Sequence, residues 1–92
     1  MIVRIMGEGQ VELDDSRLTE LDELDDELLA ELERGDEAGF RRTLTALLDA
    51  VRRLGTPLPD DSLEPSGLIL PSPDAGLEEV REMLGDDGLI PG

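Results

Sequence analysis

The chain has 92 residues, with 24 Asp and Glu against 8 basic residues, all of them Arg, for a formal net charge of -16. That length has room for one modest core, and that charge sets the chain against phosphate backbones and anionic lipid surfaces. It contains neither Cys nor His, so disulfides, Ser-His and Cys-His nucleophiles and ordinary zinc sites are excluded.

The opening "MIVRIM" alternates as a strand, with Met1, Val3 and Ile5 on one face and Ile2, Arg4 and Met6 on the other. "GEG" turns the chain, and "QVEL" alternates again, with Val11 and Leu13 opposite Gln10 and Glu12. Residues 1–13 therefore read as a β-hairpin, which needs further strands or a helix to be stable. The Gly-rich turn is not a phosphate loop. It lacks the Gly-Lys-Ser/Thr ending and joins two strands.

From Asp14 the period changes to that of a helix. Asp14, Asp15 or Ser16 supplies a cap, and Leu18, Leu21, Leu24, Leu28 and Leu32 form one stripe, with Glu20, Asp22, Glu23, Asp26, Glu27 and Glu31 on the other face. Gly35 ends this helix and Asp36 caps a second, whose stripe is Phe40, Leu44, Leu47, Leu48, Val51 and Leu54 before Gly55 and Pro57 stop it. So short a link implies an αα-hairpin, and antiparallel packing is expected to bring Arg52 and Arg53 near Asp14 and Asp15.

"TPLPDDSLEPSG" reads as a connection over the surface, and "LIL" at 68–70 as a short strand closed by Pro71 and Pro73 at a sheet edge. "GLEEVREML" reads as a last helix with Leu77, Val80 and Leu84 inward and Gly85 as its stop, followed by an apolar tail carrying Leu89 and Ile90. The expected fold is α+β in a single domain over 1–92: a β-hairpin (1–13), an αα-hairpin (14–55), a connection with a short strand (56–75), and a helix with its tail (76–92). Burial of Leu89 and Ile90 nearly cancels the cost of ordering the tail. The tail is therefore expected to dock only marginally on its own domain.

The acidic helix offers no calcium loop, whose carboxylates alternate around a Gly turn, and "GDDG" at 85–88 is too short to complete a site. Its carboxylates are expected to be solvated, with nothing to tune them for acid and base work. No enzyme activity, cofactor or metal is expected. No apolar run approaches the roughly 18 residues of a membrane span, and no signal peptide is visible. A cytoplasmic protein without direct membrane insertion is expected, and its uniform Leu core leaves room for a homodimer.

Three stretches, "MIVRIMGEGQ", "RRLGTPLPDDSLEPS" and "LGDDGLIPG", resemble in this order and at this length the PspAA family, small proteins associated with phage shock protein A, and in particular its stand-alone actinobacterial type. The resemblance covers essentially the whole chain. It implies a non-catalytic accessory or adaptor of the phage-shock envelope-stress system, in which a coiled-coil, membrane-associated protein of the phage shock protein A class protects a damaged membrane. That protein, or another component of the system, is the implied partner, and it would recruit the chain to the inner face of the membrane.

The resemblance carries no binding residue onto this chain. The candidates come from the acidic face, Glu20, Glu23, Asp26 and Glu27, and from the apolar tail, Leu89 and Ile90. The alternative is an acidic mimic that masks the basic surface of a nucleic-acid-binding protein. A mimic spreads carboxylates at phosphate-like intervals, whereas half of the 24 here fall between Asp14 and Glu37. A carboxylate metal enzyme, the third reading, requires carboxylates that converge in a pocket.

Charge concentrated on one helix makes self-repulsion a measurable cost. Screening acts over a Debye length of about 10 Å at 0.1 M salt, so the melting temperature should rise between low and moderate salt. A flat or falling trend would show that the charges are already paired.

Overall fold

Alternating apolar residues build the first two strands, β1 (Ile2–Ile5) and β2 (Gly9–Glu12), paired antiparallel from Ile2↔Glu12 to Ile5↔Gly9. The computed structural model describes residues 1–59, 65 and 67–83. Beyond the strands the ladder continues, with the Leu13 amide donating to the Met1 carbonyl at 2.8 Å and the Met1 ammonium donating to the Leu13 carbonyl at 2.8 Å. Val3, Ile5, Val11 and Leu13 point into the core and are buried.

Asp14 opens the helical region as a side-chain cap, its Oδ1 accepting from the Ser16 amide at 3.0 Å. One 3-10 turn (Asp15–Arg17) leads into α1 (Leu18–Arg34). Gly35 ends α1 at φ 69°, a left-handed conformation open to glycine. Asp36 then caps α2 (Glu37–Leu54), accepting from the Gly39 amide at 3.1 Å. Only Gly35 and Asp36 separate the helices, which form the expected αα-hairpin. Leu21, Leu28 and Leu32 of α1 meet Phe40, Leu44, Leu47, Leu48 and Val51 of α2 in one apolar cluster with the inner sheet face, while Leu18, Leu24 and Leu54 pack at its margin.

The connection after α2 supplies two strands where one was expected. Thr56–Pro57 forms β3 and pairs with β2 (Val11↔Pro57, Glu12↔Thr56), and the Leu58 amide extends the pairing to the Gln10 carbonyl at 3.0 Å. Gly55 makes the approach possible. A Cβ there would collide with Val11 Cγ1 and press on the Glu12 and Val51 carbonyls. Leu68–Leu70 forms β4, parallel to β1 (Val3↔Leu68, Ile5↔Leu70), so the sheet order is β3-β2-β1-β4 with β1 inside. The last helix, α3 (Leu77–Met83), buries Val80 and half-buries Leu77. Leu84, Gly85, Leu89 and Ile90 lie outside the described residues.

Arg52 departs from its expected place beside Asp14 and Asp15. Its guanidinium forks onto Glu8 at the hairpin tip, Nε donating to Oε1 at 2.9 Å and Nη2 to Oε2, while Nη1 donates to Asp49 Oδ1 at 2.6 Å. A carboxylate presented to two parallel N–H groups outcompetes looser pairing. Asp15 pairs instead with the Met1 ammonium at 3.3 Å, and Arg53 has no ion pair among the described residues.

Leu47 is fully buried, so Leu47→Ala should cost about 2 to 5 kcal/mol in denaturant melts. A silent Leu47→Ala would reassign that stripe from core to docking surface. Hydrogen bonds from Ser16 hold the Asp14 carboxyl below the ordinary aspartate value. A depressed carboxyl pKa stabilises the fold above the unfolded value, and the contribution is lost as the pH falls through the folded one. Asp14→Ala should thus lower the melting temperature at neutral pH, and the difference from the parent should close once the pH passes below Asp14's own pKa.

Candidate functional site

The helical period that buries the Leu stripe of α1 turns Glu20, Glu23, Asp26 and Glu27 to solvent, and all four are exposed. Seven residues at 1.5 Å each place Glu20 and Glu27 about 10 Å apart along the helix. Arg17 engages Glu20 at 3.1 Å. Glu23, Asp26 and Glu27 have no ion pair among the described residues. Within Leu18–Arg34 every charged residue but Arg34 is acidic, and among the described residues Arg34 pairs only with Asp36, at 3.9 Å. Like charges three and four residues apart weaken a helix. This one is held by its apolar face and ends on the Gly35 cap, and its exposed side presents carboxylates to solvent.

Glu31 does not belong to that surface. It is 5% exposed, packed where Gly39 of α2 has no side chain, so that a Cβ on Gly39 would run into Glu31 Oε2 and Asp36 Oδ2. Glu31 Oε1 is buried without a hydrogen-bond partner among the described residues. Asp25 is equally buried. It lies four residues after Leu21 and three before Leu28, inside the apolar stripe, a position that the heptad spacing alone reveals. The burial of Glu31 has no such signal, since it depends on a glycine of the facing helix.

A cleft of about 350 Å³ lies between the hairpin and β3, lined by Ile5, Val11, Pro57 and Leu58 and by the paired Arg52 and Glu8. No three Asp or Glu side chains come together as metal ligands among the described residues. The exposed carboxylates of α1 face solvent, and what they can do chemically is attract cations. Among the described residues no helix is long and apolar enough to cross a membrane.

Compared with known proteins, the chain matches the family model of PspAA, described as PspA-associated protein, over residues 1–92. No curated protein and no solved structure matches it. Since Glu23 and Glu27 touch neither core nor cap, Glu23→Gln and Glu27→Gln should each move the unfolding free energy by no more than about 0.5 kcal/mol, read from urea titrations. A larger loss from either would place these carboxylates in the structural framework.

Proposed function

The chain belongs to the PspAA family of PspA-associated proteins, and from that premise we propose that it is a non-catalytic adaptor of the phage-shock envelope-stress system that binds PspA or another component of it. The observation that carries the reading is the family match over the whole chain. The acidic face of α1, where Glu23, Asp26 and Glu27 have no ion pair among the described residues, supports it physically. A strongly negative protein is repelled by anionic lipid yet drawn to a basic surface on a membrane-binding helix. By occupying that surface it competes with lipid for the same cations.

In this reading Glu20, Glu23, Asp26 and Glu27 meet the partner's cations, Leu89 and Ile90 add an apolar anchor, and the protein works in the cytoplasm, reaching the inner face of the membrane on its partner. The acidic-mimic alternative gains no support. Its phosphate-like spread of charge is not the layout of α1, where the free carboxylates sit on one side of a single helix.

A pull-down with a PspA-class protein at physiological salt should capture a complex, and Glu23→Lys with Glu27→Lys should weaken it about tenfold. Absence of capture, together with unchanged membrane association of that PspA-class protein, would overturn the adaptor reading.

A further inference from the structure

The cleft between the hairpin and β3 is kept open by a glycine on the inner face of the sheet. Gly9 pairs with Ile5 in the β1–β2 ladder, and residues opposite one another share a face. Its φ of 126° is one that L side chains rarely adopt, and a Cβ built there meets nothing within 4 Å. The space is about 350 Å³, lined on its apolar side by Ile5, Val11, Pro57 and Leu58. That volume lies at the small end of the roughly 300 to 1,000 Å³ of ligand pockets.

Charge at the cleft is already balanced. Among the described residues, Glu8 and Arg52 are the charged ones that line it, and they are bound to each other through Nε and Nη2 of Arg52. An entering carboxylate competes with Glu8 for that fork, and an entering ammonium competes with Arg52 for Glu8. Neither finds a free counter-charge. With Nη1 donating to Asp49, three of the five guanidinium N–H groups are taken. The remaining two suit an uncharged acceptor.

The β3 edge beside the cleft does not invite another strand. Leu58 donates its amide to the Gln10 carbonyl, and in an antiparallel ladder this turns the backbone of Pro57 away from β2. Proline has no N–H to offer on that side. A polypeptide arriving here is therefore recognised by a side chain and a carbonyl. We propose that the cleft takes one aliphatic side chain, Leu or Ile, from a non-helical stretch of a partner protein, whose adjacent backbone carbonyl accepts from Arg52. Carbonyls in the middle of a helix are already engaged, which excludes such a segment. This inference rests on the reading that the chain binds a partner protein, and adds a contact apart from the acidic face of α1.

The test is an amide NMR titration of the full chain with N-acetylleucine methylamide as the probe. Signals of Gly9 and Val11 should shift with an affinity in the millimolar range. N-acetylglycine methylamide, which lacks the side chain, and isocaproate, which carries the same isobutyl group on a carboxylate, should each bind about tenfold more weakly. Leu58 is half-buried at the margin of the cleft, so Leu58→Trp should fill it and cut the affinity about tenfold. Unchanged Leu21 and Leu28 amide signals check that this variant is folded. Arg52→Met should cost about fivefold, and Arg53→Gln, outside the cleft, should stay within about twofold of the parent. In capture by a PspA-class protein, Leu58→Trp should likewise weaken the complex. No shift at Gly9 and Val11, equal binding of the glycine probe, equal affinity of the parent, Leu58→Trp and Arg52→Met, or undiminished capture by Leu58→Trp would overturn the inference. Failure of the adaptor reading is distinct: the parent chain then captures no PspA-class protein while the leucine probe still shifts Gly9.

Discussion

Aliphatic burial has to outweigh self-repulsion in this chain, and it does so between one face of a four-stranded sheet and two helices. Val3, Ile5 and Leu13 from the hairpin, with Leu28, Leu44 and Leu47 from the helices, are almost fully removed from water. Each such side chain contributes roughly 1.5 to 3 kcal/mol. The carboxylates stay tolerable because, among the described residues, all but Asp25 and Glu31 reach the high dielectric outside, where each repulsive pair is weak. The ion pairs do little of the holding. Arg52, Glu8 and Asp49 are all partly or largely exposed, and pairs of that kind contribute about 0 to 1 kcal/mol.

How far the fold was legible depends on whether a residue's fate is decided locally. The hairpin and both long helices follow from periods of two and 3.6 and from nearby caps, Asp14 and Asp36 among them. Thr56–Pro57 is a strand only because β2 lies alongside it, and nothing within two residues announces that. Strand order was equally hidden, since the three residues of β4 fit either edge until β1 receives them. Arg52 found its partner across the fold at Glu8, beyond the reach of any helical spacing. For the candidate surface, the exposed side of α1 was readable from its Leu stripe. The removal of Glu31 from it was not, because a glycine on another helix makes the room.

The two sides of α1 are chemically independent. Leu21, Leu28 and Leu32 hold the helix to the body, and Glu23, Asp26 and Glu27 contribute no packing that the core needs. The PspAA family is described as PspA-associated, and in this member the acidic face lies on a helix held to the body by its apolar stripe. A pre-ordered surface meets a partner without a folding cost at the moment of contact. The charges of such a face are free to change while the core stays as it is.

The parallel pairing of β1 with β4 ties the chain's first strand to residues 68–70, with the whole helical hairpin between them. Contacts within β1–β2 and α1–α2 close short loops, whereas this one closes a loop of more than half the chain and meets its entropy cost late. During synthesis the hairpin and the helices leave the ribosome before β4 does. The edge of β1 that β4 will occupy is therefore unpaired in the nascent chain, and the sheet completes only after residues 68–70 have been made.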